Sequence, residues 1–159
     1  MPLQILINLL LAVLWMFMGS EFSVASFATG YIMGLAAVFL LRRFLPGSFY
    51  IKRVWRIVRL FFIFIIEMVK ANIDVVKIVL NPKIDVHPGF YAYPCDLEED
   101  WEVVLLSSLI TLTPGTVVVA ISDDHSTIYI HGVDLRSADE EIENIKSAFE
   151  NEIKEVAKP

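Results

Sequence analysis

Cys95 is the only cysteine in 159 residues. A lone thiol cannot close a disulfide within the chain, and a cysteine-rich metal site is excluded. Lysine and arginine are missing from the first 41 positions, where Glu21 is the only charged side chain. No glycine-rich phosphate loop, His-Glu-x-x-His or Gly-x-Ser-x-Gly is present. His87, His125 and His131 lack ligand spacing. Asp123 and Asp124 read as turn residues. Cys95 has no basic sequence neighbour to activate it and reads as a small buried residue. These absences argue against an enzyme, and neither cofactor nor metal is expected. No basic segment precedes the first apolar run, and that run does not end as a signal peptide would. A retained anchor is therefore expected.

What is abundant is apolar. Hydrophobic residues make up 56% of the chain, and the mean hydropathy of +0.61 exceeds that of ordinary soluble domains. Charge is segregated. Residues 1–81 hold eight Lys/Arg against three Asp/Glu, and residues 82–159 hold five against sixteen. A basic, apolar first half and an acidic second half predict a membrane anchor carrying a water-facing domain. The acidic half argues against nucleic acid as a partner and makes the lipid bilayer a partner of the first half only.

Leu3–Met18 and Phe22–Leu41 are two apolar runs near the length of a membrane span, the first slightly short. They predict a two-span hairpin over residues 1–43. Arg42 and Arg43 close it, and the basic residues that follow place that side in the cytoplasm. Ser26, Gly30 and Gly34 share one face of the second span and permit close helix approach, either within the hairpin or against another subunit. Glu21 fits a turn residue or a cation ligand.

Residues 44–81 form a basic loop and then a long helix, Val54–Leu80. With about 100° per residue, Lys52, Arg56, Arg59, Lys70, Asp74 and Lys77 fall within roughly 80° of Glu67. Neighbours on this stripe can pair, Glu67 with Lys70, Lys70 with Asp74, and Asp74 with Lys77. Glu67 and Asp74 could alternatively join a proton path. The uninterrupted apolar stretch, Leu60–Ile66, is too short to span a bilayer. The helix is read as amphipathic and interfacial, its stripe toward water or a partner. A third span is the alternative, and it would put the C-terminal domain outside.

Residues 82–159 predict a small α+β domain of order β-α-β-β-α, with two helices on one face of a three-stranded sheet. Ile84–Tyr93 is the first strand. Asp96, with Glu99, is the cap of a helix expected to bury Trp101, Val104, Leu105, Ser108 and Leu112. Thr113-Pro114-Gly115-Thr116 ends it in a type II turn, which is either a plain helix stop or the support of a docking surface. Val117–Ile121 and Thr127–His131 flank a turn. Ser137 with Glu140 caps a last helix that buries Ile142, Ile145, Phe149, Ile153 and Val156. The first crossover is right-handed if its strands pair in parallel.

Ala71–Pro82 (AlaAsnIleAspValValLysIleValLeuAsnPro), Pro88–Phe90 (ProGlyPhe) and Leu109–Thr116 (LeuIleThrLeuThrProGlyThr) resemble the E subunit of the bacterial Mrp/Mnh-type multi-subunit Na+/H+ antiporters. The resemblance covers essentially the whole chain. It implies an accessory, non-catalytic subunit of a hetero-oligomeric Na+/Li+ versus proton antiporter, in the bacterial plasma membrane with its C-terminal domain cytoplasmic. Its implied partners are the other subunits, and its implied role is assembly and full activity in sodium extrusion and pH homeostasis. The alternative is a membrane-anchored regulatory module whose acidic domain recruits or senses a partner.

Overall fold

The computed structural model describes residues 2–45, 49–83 and 85–158. The chain divides into two compact units, Met1–Trp55 and Arg56–Lys158.

The first unit is a helical hairpin, α1 (Pro2–Gly19) and α2 (Val24–Leu41), joined by a link in which Ser20 takes a left-handed φ of 52°. Ser23 caps α2, its hydroxyl accepting from the Ser26 N–H at 3.1 Å. The two helices run antiparallel. A Cβ placed on Gly30 would lie 2.7 Å from Cβ of Trp15, and one on Gly34 would strike Asn8 Oδ1 and lie 3.2 Å from Cβ of Leu11. Gly30 and Gly34 are therefore glycines because α1 occupies the space of a side chain. Among the described residues one helix, Val24–Leu41, is long and apolar enough to cross a membrane, and Leu3–Gly19 falls just short.

Polar groups also sit inside this unit. Asn8 Nδ2 donates to the Tyr50 hydroxyl at 2.7 Å, the Tyr31 and Tyr50 hydroxyls lie 3.1 Å apart, and the Tyr50 N–H donates to Gln4 Oε1 at 3.1 Å. Gln4 and Asn8 are fully buried. Tyr50 opens α3 (Tyr50–Leu80).

The second unit holds the rest of α3 and an α+β domain. Its elements are β1 (Gly89–Pro94), α4 (Asp100–Leu112), β2 (Thr116–Ile121), β3 (Thr127–Gly132), α5 (Ala138–Ile145), a single π turn (Lys146–Glu150) and α6 (Asn151–Ala157). The sheet order is β1-β3-β2, antiparallel throughout, so no parallel crossover exists among the described residues. The expected first strand began at Ile84, which lies outside the described residues; the observed strand begins at Gly89. Alternation decides its inward face. Tyr91 and Tyr93 on β1 and Ile128 and Ile130 on β3 join Leu106, Ile110, Phe149 and Ile153 in the core. The opposite face carries Phe90 and Tyr129, both exposed.

Three local expectations need correction. The helix after β1 starts three residues later than the Asp96 cap implies. Glu99 is its N-cap, and the Glu102 carboxylate accepts from the N–H groups of Glu98 and Glu99 at 3.2 and 3.3 Å. Asp96 instead pairs with Lys146 at 2.9 Å. The buried face of α4 is also different. Glu102, Val103, Leu106, Leu109 and Ile110 are buried, whereas Trp101, Val104, Ser108 and Leu112 are exposed. This helix is apolar on nearly every side, so spacing cannot choose its inward face. Finally, the C-terminal helix is interrupted by the π turn, where the Asn151 N–H reaches the Lys146 carbonyl. The wider turn keeps Ile145, Phe149 and Ile153, spaced by four, on the core side.

Candidate functional site: the charged helix and its cleft

The charged stripe of α3 meets the chain's own domain. Leu60 is buried in the core, and Ile63 and Phe64 pack against it. One turn earlier, Arg56 donates to the carbonyls of Glu155 and Lys158 at 2.8 and 3.2 Å, at the C-terminal end of α6. A guanidinium there satisfies carbonyls that no later helical N–H can reach and complements the negative end of the helix. Arg59 pairs with Glu152 of α6 at 2.7 Å. Further along, Glu67 pairs with Lys70 and Asp74 with Lys77, each at 2.7 Å. No ion pair joins Lys70 to Asp74; each lysine is already engaged three residues back. On the opposite side of the helix, Phe61, Phe62, Ile66, Val69, Ile73, Val76 and Val79 are exposed. The domain covers one face of α3 and leaves a broad apolar face bare.

The Thr113–Thr116 turn is built as its residue types require. Gly115 has φ +98°, a left-handed value that a side chain would strain. The Thr116 N–H reaches the Thr113 carbonyl at 3.4 Å. The Thr113 hydroxyl donates to the Leu109 carbonyl and the Thr116 hydroxyl to the Ile110 carbonyl, both at 2.8 Å, closing the end of α4. The Gly115 carbonyl accepts from the Val133 N–H at 2.9 Å. The turn thus ties α4 to the end of β3.

The structure brings the second half of the stripe and this turn to one cleft. Glu67, Lys70, Asp74 and Lys77 form one wall, Thr113–Thr116 another, and residues 132–137 with α5 the third; the cavity is about 840 Å³. Arg136 Nε donates to Asp134 Oδ2 at 3.1 Å, and this hydrogen bond holds the Asp134 carboxyl below its usual range. Burial pushes the Glu141 carboxyl up, with the charges of Glu140 and Asp134 adding to it. Arg56 and Arg59 lie outside the cleft lining, at α6. Ser26, Gly30 and Gly34 belong to the other unit, where Gly30 and Gly34 are buried and Ser26 is half-buried.

Some structural polar groups gave no sequence signal of their importance. Glu150, buried in the core, accepts from the Tyr93 hydroxyl at 2.5 Å and from Lys154 at 2.6 Å. Burial, with Glu150 beside it, pushes the Tyr93 phenol well above its ordinary value. The spacing of Glu150 and Lys154 by four was legible as a helix pair; its burial was not. Cys95 is buried as expected, and burial raises its thiol pKa.

Apolar helices, one of span length, followed by a small α+β domain packed on a charged helix, define an α+β protein preceded by an apolar helical hairpin. The sequence matches the family described as Na+/H+ ion antiporter subunit over residues 8–156. It is 49% identical to Na(+)/H(+) antiporter subunit E1 of Staphylococcus saprophyticus over 156 residues, 98% of each chain. It is 47% identical to the subunit of the same name in Staphylococcus aureus strain Newman, with the same coverage. Among solved structures, a chain of the archaeal membrane-bound sulfane sulfur reductase, a respiratory membrane complex, matches with TM-score 0.59 and 22% identity over 96% of this chain and 98% of that one. A chain of the Mrp complex from Dietzia sp. DQ12-45-1b matches with TM-score 0.49 and 25% identity over 67% of this chain and 96% of that one. The chain belongs to the family of Na+/H+ ion antiporter subunits.

Proposed function

We propose that this chain is an accessory, non-catalytic subunit of a hetero-oligomeric monovalent cation/proton antiporter in the bacterial plasma membrane. It supports assembly and full activity in Na+ (and Li+) extrusion and pH homeostasis. The observation that carries this reading is the near full-length match to antiporter subunits E1. The geometry of α3 supports it. A helix whose charged face is anchored to its own domain through Arg56 and Arg59, and whose other face is bare and apolar, suits an interface with lipid or with neighbouring membrane subunits. On this reading α1 and α2 form the membrane hairpin, and the C-terminal domain is cytoplasmic. The Thr113–Thr116 turn then supports a docking surface as well as ending α4.

The test is co-purification. A tagged chain in mild detergent brings down other membrane subunits, and cells lacking the chain lose Na+/H+ exchange in inverted vesicles. A lone stable monomer, or exchange unaffected by deletion, overturns the reading. Pro114→Gly separates the two roles of the turn, because only a docking role predicts lost exchange with the domain still folded. Sidedness needs a new reporter because Cys95 is buried. Cys95→Ala with Asp123→Cys, at an exposed turn, is labelled in inverted vesicles and protected in intact cells if the domain is cytoplasmic.

A regulatory module that recruits a soluble partner is the second reading. It predicts a domain that folds when cut after Pro82. Leu60, Ile63 and Phe64 of α3 are part of the domain's core, which favours the integrated subunit.

A further inference from the structure

The α3–α5 cleft carries more negative charge than its own cations neutralise. Five carboxylates line it, those of Glu67, Asp74, Asp134, Glu140 and Glu141, against Lys70, Lys77 and Arg136. All three cations are taken, by Glu67, Asp74 and Asp134 respectively. Glu140 and Glu141 make no ion pair among the described residues. Their place in the first turn of α5 gives them some support from the helix dipole. Glu141, however, is partly buried, and a desolvated carboxylate without a cation is unfavourable.

A second observation points to the same place. Tyr91 also lines the cleft. It is only 7% exposed, and its hydroxyl is buried without a hydrogen-bond partner. The negative charge of Glu141 is close enough to help raise the Tyr91 phenol pKa, after burial itself, yet no hydrogen bond joins the two. Buried hydroxyls in native proteins nearly always have a partner, supplied by the chain or by what binds to it. At about 840 Å³ the cavity holds far more than a single ion. Val75, Ile110 and Ala148 give it apolar wall that suits the methylene stem of a long side chain.

We infer that this cleft receives a basic side chain, arginine above all, from another subunit of the assembly, with Glu140 and Glu141 as counter-ions and the Tyr91 hydroxyl as an acceptor. Arginine fits best because its planar fork can pair bidentately with a carboxylate, and it is more weakly hydrated than lysine. The inference rests on the accessory-subunit reading and adds to it the chemistry of the contact.

The experiment uses the full chain in its native membrane. Asn144, exposed at the rim of the cleft, is replaced by p-benzoylphenylalanine, the membranes are irradiated, and the joined peptides are mapped. The expected product links Asn144 to a segment of another subunit that contains Arg or Lys. Replacing that base by Gln, or making Glu140→Gln with Glu141→Gln, lowers the cross-link yield about tenfold or more, as loss of a close charge pair at an interface does. Joining to a segment without a base, to lipid, to a second copy of this chain or only within the chain overturns the inference. So does a yield indifferent to the Gln variants. If the tagged chain purifies with its partner subunits while these results fail, only the cleft assignment falls. If it purifies alone, the accessory-subunit reading falls with it.

Discussion

The hairpin and the C-terminal unit are held together by opposite means. In the hairpin, contact is made by small residues and by polar groups turned inward, while Leu10, Phe17, Val24 and Leu40 are exposed. In the C-terminal unit a core of large apolar side chains holds the α+β domain together and most charges lie outside it, with Glu102, Glu150 and Glu152 as buried exceptions. The difference follows from the solvent each surface suits. In lipid, an apolar surface drives no association, so helices associate through close backbone approach and hydrogen bonds. In water, burial of apolar area is the main driving force.

The sharpest way to break this comparison is to remove the same kind of group from both units. Ile130→Ala empties a fully buried site and is expected to cost about 2–5 kcal/mol. Leu10→Ala, at a position 60% exposed, is expected to change stability by less than about 0.5 kcal/mol. Denaturant unfolding of the full chain in detergent measures both. Equal losses would mean that the hairpin has a core like that of the domain.

Adding atoms reverses the order. Gly34→Leu drives a side chain into Asn8 and Leu11 and is expected to cost the hairpin about 1–3 kcal/mol. The readout is a fall in disulfide cross-linking between cysteines placed on α1 and α2. Gly115→Ala has room, since the nearest atom to a new Cβ is Val75 Cγ2 at 3.9 Å. Its cost is backbone strain at φ +98°, about 1–2 kcal/mol, read as an earlier unfolding midpoint of the domain alone.

The smallest effects are electrostatic and belong to the C-terminal unit. Lys146 hydrogen-bonds Asp96 and lowers its pKa from 3.8. A depressed folded pKa stabilises the fold above the unfolded value, and that contribution is lost as pH falls through the folded one. Lys146→Gln is therefore expected to lower stability near neutrality and to converge on the parent in acid, once Asp96 is protonated in both. Glu141 has the opposite sign. Its raised pKa, caused first by burial, makes ionisation unfavourable to folding, so stability falls as pH rises through the folded value. Glu141→Gln is expected to raise the unfolding midpoint of the isolated chain at pH 7 and to lose that advantage in acid. If the variant were destabilised at pH 7, Glu141 would be serving the fold.

Legibility in the sequence varied with how one-sided each element is. The last helical stretch keeps most of its charges away from Ile145, Phe149, Ile153 and Val156, which are buried as their spacing predicts, with Glu150 and Glu152 buried among them and Ile142 half-buried against the same core. The type II turn was legible because Pro-Gly leaves few alternatives. In α4 the apolar residues surround the axis, so periodicity chose a face that is exposed. The acid-rich run from Asp96 to Glu102 offers several caps at the same spacing, and Glu99 with Glu102 prevailed. For α3 the charged stripe was visible, but what covers it was not. Arg56 and Arg59 meet residues 93 to 102 positions away, and no local pattern reports such a pairing. The cleft is assembled from four separate stretches of chain and was likewise hidden.

By itself the sequence determined where apolar length, charge asymmetry, turn chemistry and one-sided periodicity lie, because these are properties of neighbours along the chain. It thereby separated an apolar helical hairpin from an acidic α+β domain. Only the tertiary structure decided the sheet order β1-β3-β2, the inward face of α4, the anchoring of Arg56 and Arg59 of α3 to α6 and the surplus of carboxylates in the cleft. Each of these is a balance of burial and pairing between segments distant in sequence, and that balance exists only once the segments have met.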